Sequence, residues 1–289
     1  QGVSSAASDV YKRQVLVGAL LLFVAVMAGK VAYRFGAPAL LLFLGVGMLF
    51  GLNFISFRSV EMTQFVGMIA LCIILFTGGM DTSFQEIKPI IGPGVMLATV
   101  GVVMTAMVLA GFVWLVAPWL DLEISFALAL LLAATMSSTD SASVFSILRS
   151  KKQGLKQHLR PLLELESGSN DPMAYMLTIL LIGVVTNSQG GGGLGMSALY
   201  FVVQLVVGTL SGYLIGRLAV WTINKINLAN HSLYSVLLLA FIFFAFAFTD
   251  LVKGNGYLAV YLAGLVVGNH KLAQKRSLTV FFDGFTWLM

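Results

Sequence analysis

The chain has 289 residues, of which 58% are hydrophobic and only 10% are charged. Since a soluble domain carries about 25% charged residues, this composition excludes a soluble globular protein and predicts a chain that crosses a bilayer repeatedly. The single cysteine, Cys72, excludes an intrachain disulfide. The formal net charge is +5, and its meaning depends on where the basic residues lie along the chain.

The first 14 residues, QGVSSAASDVYKRQ, are polar and stop where an apolar run starts at Val15. We expect this segment, 1–14, to be a non-native or disordered tail. Because a spanning helix needs about 20 apolar residues, the runs that follow predict nine transmembrane helices. In chain order they are 15–33, 37–52, 60–78, 90–117, 124–148, 161–185, 196–222, 233–251 and 255–269. A tenth begins near Phe281, and we expect the chain to be an N-terminal fragment.

The positions of the basic residues support this count. If the N-terminus lies outside, every Lys and Arg beyond residue 14 falls on the inner side, except Arg58 and Lys253. The positive-inside rule predicts such a bias. The basic run 151–160 is then a loop beside lipid headgroups. Membrane lipid is therefore the expected partner, and no nucleic-acid partner is predicted.

Two short, glycine-rich runs resemble each other: GAPALLLFLGVGMLFG at 36–51 and GNGYLAVYLAGLVVG at 254–268. When Gly47 is aligned with Gly264, Gly51 aligns with Gly268, and each pair forms a G-x-x-x-G face that allows close helix packing. The two copies are the second and the ninth predicted helices, an odd offset of seven, so they insert in opposite senses. This arrangement predicts an inverted-topology repeat, a common plan of secondary transporters.

The chemistry is concentrated in the fifth and sixth predicted helices. The sixth helix carries four polar residues on one half of its surface: Glu166, Ser167, Asn170 and Asp171. A charged side chain at the bilayer centre costs roughly 2.5–3.5 kcal/mol on insertion scales, and it marks an ion pathway, a proton relay or a buried pair. Pro172 has no N–H, so we expect the helix to bend beside the acids.

The fifth helix contains a second acid, Asp140, within the hydroxyl-rich run TMSSTDSAS. Because such side chains offer the backbone alternatives to helical hydrogen bonds, we expect a discontinuous helix, a feature of transporter ion sites. Carboxylate, hydroxyl and amide oxygens suit hard cations, and no His or Cys cluster suits a transition metal. The site is therefore expected to take a monovalent cation, without a resident metal or small-molecule cofactor.

Exchange is the mechanism that these residues favour. Burial disfavours the charged form of a carboxylate, so a proton and a cation can compete for Asp171, and alternating access would move that site between the two sides. A single acid favours one cation per proton, with no net charge moved. A cation channel and a sodium-coupled solute symporter are the alternatives, although channels repeat a filter by symmetry and no substrate pocket is legible. An enzyme is not predicted.

The runs SSTDSASVFSIL and LELESGSNDPMAYMLT resemble the monovalent cation:proton antiporter family of the NhaP and sodium/hydrogen-exchanger type. LFTGGMDTSF, GYLAVYLAGLVVGN and FFDGFTWLM are similar to its bacterial NhaP-type potassium/proton antiporter branch. The resemblance implies an all-α polytopic membrane protein with a thirteen-helix inverted repeat, forming a homodimer in the bacterial cytoplasmic (inner) membrane. The implied transported ions are potassium, or alternatively sodium, and protons.

The same resemblance assigns roles to individual residues. The implied ion- and proton-binding residues are Asp171, Asp140, Thr139 and Ser167. The implied supporting residues are Glu166, Asn170, Ser138 and Pro172. Glu166 is expected to pair with an arginine from a later helix. Two departures from the branch affect the proton path: Thr77 replaces a frequent acid, and Asp81 replaces a frequently basic residue.

The resemblance also divides the chain into functional parts. Residues 15–88 would be scaffold and dimerisation helices, and residues 89–185 would be the ion-binding core. Residues 196–289 would hold a linker helix and the start of the second repeat.

Overall fold

The computed structural model describes residues 2–35, 39–53, 59–139, 159–186 and 194–288. The chain divides into two compact units, Gln1–Thr63 and Gln64–Met289, and each is described by itself. All regular structure in the described residues is helical, which agrees with the predicted all-α class.

The first unit contains α1 (Gly2–Phe35) and α2 (Ala39–Asn53), which contact each other. Because α1 begins at Gly2, the segment 2–14 that we expected to be a non-native or disordered tail is helical in the structure. Its origin stays a prediction. Within the described residues, a Cβ added at Gly47 or Gly51 of α2 would meet no atom within 4 Å.

The helix α3 (Val60–Asp81) starts in the first unit and continues into the second. The second unit then contains seven further helices in its described part. They are α4 (Phe84–Leu120), α5 (Phe126–Thr135), α6 (Leu159–Thr186), α7 (Leu194–Lys225), α8 (Leu233–Leu251), α9 (Gly256–Gly268) and α10 (Lys275–Leu288).

Five helices of the described part are long and apolar enough to cross a membrane: Val60–Asp81, Phe84–Leu120, Leu159–Thr186, Leu199–Lys225 and Leu233–Leu251. The apolar stretches Val15–Lys30, Phe126–Thr135 and Gly256–Gly268 are shorter. These helices lie on the predicted apolar runs, and α8 has the predicted bounds. The chain is therefore a multi-pass membrane protein, while the count of nine membrane crossings stays a prediction.

The helix α4 is continuous, but its pitch changes along its length. It tightens into 3-10 turns at Lys88–Ile90 and Ala117–Leu120, and it widens into a π turn at Leu97–Gly101. A π turn inside an α-helix is often found at a functional site. In this protein it faces the cavity that is described below.

The buried apolar side chains of the second unit form separate clusters. The largest joins α3 with α7, α8, α9 and α10, and it includes Phe76, Tyr261 and Phe282. Two smaller clusters join α4 with α6 and α4 with α5, around Val102 and Ala106 respectively. The cluster around Val102 also packs against Phe201 and Leu205 of α7, so the helices that carry the predicted ion site share part of their apolar packing with α7.

The helix α9 lies in close backbone contact with α3. A Cβ at Gly264 would overlap the carbonyl oxygen of Phe76, and one at Gly268 would overlap that of Met80. Side chains added there would force the two backbones apart. The close packing predicted for this G-x-x-x-G face is thus present in α9.

The opposite side of α9 is contacted by a second row of glycines. The row is spaced four residues apart on α7 and consists of Gly208, Gly212 and Gly216. A Cβ at Gly212 would lie 2.6 Å from the carbonyl oxygen of Ala259. Because lipid tails are as apolar as leucine, membrane helices associate through such close van der Waals packing rather than through the hydrophobic effect.

Candidate functional site

The helix α5 ends at Thr135, and the chain is not helical from Met136 through Thr139. Side-chain hydroxyl groups donate hydrogen bonds to backbone carbonyls at this end of the helix. Thr135 donates to the Leu132 carbonyl at 2.7 Å, and Ser137 donates to the Ala134 carbonyl at 2.7 Å. Side chains of this kind compete with helical hydrogen bonding. The helix α5 ends at the start of the hydroxyl-rich run. Asp140, the second predicted acid, and the rest of the predicted fifth helix lie outside the described residues, so the discontinuous helix stays a prediction.

The helix α6 presents the acidic face. Ser167 and Asn170 are fully buried, while Glu166 and Asp171 are partly buried. The helix continues through Pro172 as far as Thr186, so the proline does not end it.

Hydrogen bonds of hydroxyl and amide groups join the α5 terminus to α6. The Ser138 hydroxyl makes a very short hydrogen bond to the Asp171 carboxylate and lies 3.2 Å from the Asn170 Oδ1 atom. It has a single proton, so it donates to one of these oxygens at a time. The Asn170 Nδ2 group donates to Thr139 Oγ1 at 2.5 Å and to Glu166 Oε1 at 3.0 Å.

A second set of contacts surrounds Glu166. Its Oε2 atom accepts from Thr139 Oγ1 at 3.4 Å and from Ser167 Oγ at 3.3 Å. The Thr139 and Ser167 hydroxyls are 3.3 Å apart. All contacts described for Glu166 are with neutral side chains, and an arginine partner stays a prediction.

A cavity of about 590 Å³ opens beside this network. Its polar lining consists of Thr105, Ser137, Ser138, Thr139 and Glu166, and the apolar lining includes Leu97 and Met136. The π turn of α4 contributes Leu97 and Gly101 to the wall. The hydroxyl groups of the α5 terminus and the Glu166 carboxylate therefore lie on the wall of this cavity.

The structure brings together six of the eight residues predicted for the site: Ser138, Thr139, Glu166, Ser167, Asn170 and Asp171. Pro172 lies in the next position of α6, and its carbonyl oxygen accepts from Asn255 Nδ2 at 3.1 Å. Sequence analysis missed Asn255 and its neighbour on α9, Tyr261, whose ring covers Gly168 of α6. The only sequence signal for Asn255 is its place before a glycine-initiated helix, where asparagine is a favoured N-cap.

The described residues contain no group of three or more His, Cys, Asp or Glu side chains that could hold a metal ion. The network offers carboxylate, hydroxyl and amide oxygens, which are ligands for hard cations.

Comparisons with known proteins identify the family of the chain. The model of the transmembrane sodium/hydrogen exchanger family matches residues 19–288. The chain belongs to the sodium/hydrogen exchanger family. The family predicted from the motifs around Thr139 and Asp171 is thereby confirmed.

Relatives within the exchanger family are of the NhaP type. The K(+)/H(+) antiporter NhaP of Alkalimonas amylolytica is 40% identical over 278 residues, which cover 95% of this chain and 47% of the relative. The K(+)/H(+) antiporter NhaP2 of Shewanella sp. (strain ANA-3) is 35% identical over 276 residues, covering 94% of this chain and 47% of the relative. The chain thus spans about half the length of the relatives it matches.

The fold is similar to that of a solved exchanger. The structure of the sodium proton antiporter MjNhaP1 from Methanocaldococcus jannaschii superposes with a TM-score of 0.79 at 21% sequence identity, over 95% of this chain and 68% of that chain. This likeness shows that the chain has the same fold as the solved exchanger.

Proposed function

We propose that the whole protein exchanges a monovalent cation for protons across the bacterial cytoplasmic membrane by alternating access. Potassium is the first candidate, because the two relatives named above are both K(+)/H(+) antiporters; sodium is the alternative. The observation that carries the proposal is the contact between the Ser138 hydroxyl and the Asp171 carboxylate, with Ser138 on the wall of the cavity of about 590 Å³.

The contact between Ser138 and Asp171 suits exchange because a hydroxyl can both donate and accept. With Asp171 charged and no cation bound, the Ser138 proton stabilises the carboxylate. When a cation arrives, the hydroxyl rotates and offers a lone pair to it. When a proton arrives instead, the carboxyl group becomes neutral and releases the cation. One acid that holds either ligand gives one cation per proton and an electroneutral exchange.

Glu166 supports the site through its neighbours. Its two oxygens hold the Asn170 amide and the Thr139 and Ser167 hydroxyls, which fixes the polar face of α6 against the α5 terminus. We place Thr139 and Ser167 among the cation ligands, with Asp140 completing the set. Glu166 would pair with an arginine outside the described residues.

The finer architecture is part of the same proposal. It comprises the thirteen-helix inverted repeat, the homodimer and the N-terminus outside. The apolar clusters support a division into a core of α4–α6 and a scaffold that includes α3 and α7–α9, with Phe201 and Leu205 of α7 lying where the two parts meet. In this scheme the core moves against the scaffold.

The test is cation-linked proton movement in everted membrane vesicles that contain the whole protein. A pH-sensitive dye reports whether KCl, NaCl or choline chloride dissipates a preformed proton gradient. We expect dissipation by potassium or sodium but not by choline, and its loss in Asp171→Asn. The matched control is Asp250→Asn, at an exposed acid near the end of α8, which should retain exchange. If Asp171→Asn exchanged ions at the unmodified rate, the proposed site would be wrong.

A further inference from the structure

The helix α9 is joined to its neighbours in two different ways. Its contacts with α3 and α7 are backbone to backbone, through the glycine rows described above. Its contact with α6 is smaller than its contact with α7 and is made by the side chains of Asn255, Tyr257 and Tyr261. Close backbone packing resists sliding, because any displacement creates overlap. The contact between α6 and α9 is therefore the one that can change while α9 stays fixed to α3 and α7.

On α6, these side chains meet three residues: Gly168, Pro172 and Tyr175. The Tyr261 ring covers Gly168, the Asn255 amide reaches the Pro172 carbonyl, and Tyr257 meets Tyr175 edge to face with ring centroids 4.8 Å apart. At 3.6 residues per turn, these positions form one ridge, on the side of α6 away from Glu166 and Asn170.

Asn255 is the polar member of this contact, and it is 3% exposed. Its Oδ1 atom accepts from the Leu258 N–H at 3.0 Å and caps α9, while its Nδ2 group donates to the Pro172 carbonyl at 3.1 Å. Its backbone N–H donates to the Gln204 carbonyl of α7 at 3.1 Å. One residue thus fixes the start of α9, the backbone of α7 and the turn of α6 that carries Asp171.

We propose that Asn255 is a positioning residue that latches α6 in the access state seen in this structure. The inference rests on the proposed function, since it concerns the step in which the ion site changes sides. A hydrogen bond of 3.1 Å is lost when its atoms move apart by more than about 0.5 Å. Movement of α6 along α9 must therefore break the bond between Asn255 and Pro172, and the bond favours the state in which it is made.

Two substitutions separate the latch from the helix cap. Asn255→Ser keeps an oxygen that can cap α9, but its side chain is too short to reach Pro172. Asn255→Ala removes both the cap and the latch. If the latch governs the access equilibrium, both variants shift that equilibrium equally, and only Asn255→Ala loses the stability that the cap supplies.

The measurement is the half-saturating cation concentration for proton exchange, determined in inside-out and in right-side-out vesicles. A net hydrogen-bond contribution corresponds to a shift of about two- to tenfold in the equilibrium between the two access states. We expect the half-saturating concentration to rise by up to this factor at one face of the membrane and to fall at the other. Thermal unfolding in detergent, measured in parallel, reports how much of each variant is folded.

Opposite shifts at the two faces, alike in Asn255→Ser and Asn255→Ala, would establish the latch. A purely structural role would reduce the rate without moving the two half-saturating concentrations in opposite directions, and that result would overturn the inference. If the unmodified protein exchanges ions normally but neither variant shows opposite shifts, the latch is wrong and the proposed function stands. If the unmodified protein shows no cation-linked proton movement, the proposed function is wrong and the latch fails with it.

Discussion

Replacement of Gly168 by alanine tests the close approach of α6 to α9. A Cβ built at this position lies 2.5 Å from Cε2, 2.9 Å from Cζ and 3.2 Å from Cδ2 of Tyr261. Since carbon atoms pack at about 3.5–4.0 Å, the overlap is about 1 Å. Tyr261 is 1% exposed, and its backbone is held by the close contact with Gly79 of α3. The ring has little room to retreat, so α6 must shift instead.

Overpacking of this kind costs typically about 1–3 kcal/mol. Alanine also gains up to about 1 kcal/mol over glycine in a helix, which hides part of the loss. The matched control is Gly183→Ala on the same helix, where a Cβ meets nothing within 4 Å. This variant has the same gain in helix propensity but no overlap with a neighbouring atom. The two variants should therefore differ by about 1–3 kcal/mol in the free energy of unfolding.

The assay is reversible unfolding in detergent micelles, with the midpoint compared across the unmodified protein and both variants. We expect Gly168→Ala to unfold at the lowest temperature and Gly183→Ala to match or exceed the unmodified protein. Exchange should also slow in Gly168→Ala, because Asp171 lies one helical turn further along α6 and would move with it. Equal stability of the two alanine variants would refute the packing of Tyr261 on Gly168.

Two further predictions concern the site and the helix packing. Ser138→Ala removes the hydroxyl whose lone pair is assigned to the bound cation. Because a polar contact with a charged group contributes about 1.5–3 kcal/mol, the half-saturating cation concentration in the dye assay should rise at least about tenfold. Ser138→Thr should restore the affinity, and an unchanged value in the alanine variant would contradict the assigned role. Gly212→Ala should lower the unfolding midpoint in detergent, because its Cβ would lie 2.6 Å from the Ala259 carbonyl oxygen and overpacking costs about 1–3 kcal/mol. The control, Gly111→Ala, has open space at its Cβ, and equal midpoints for these two variants would argue against the glycine packing of α7 on α9.

Much of the site could be predicted from sequence because its residues follow local rules. The polar face of α6 follows from helical spacing, and the end of α5 follows from its hydroxyl groups. The pairing of Ser138 with Asp171 could not be derived in that way. Each residue has several possible neighbours, and which atoms meet depends on the depth and rotation of two helices whose contacting residues lie 33 positions apart.

The glycine rows also show that sequence alone does not predict which helices pack together. The sequence singled out Gly47 and Gly51 together with Gly264 and Gly268, yet only the second pair meets a neighbouring backbone within the described residues. The row on α7 that includes Gly212 was missed. A G-x-x-x-G pattern indicates that another helix can pack closely against this face, but it does not identify that helix.

The sequence by itself determined that this protein lies in a membrane, where most of its helices run, which residues are candidates for the ion chemistry and which family it belongs to. These properties depend on apolar length, on the cost of a charge in lipid and on contiguous motifs, all of which are local. The tertiary structure decided which helices share a core, that Tyr261 covers Gly168, and that Asn255 reaches Pro172 across 83 positions of sequence. Those contacts depend on distances between backbones, which the pattern of any single helix does not specify.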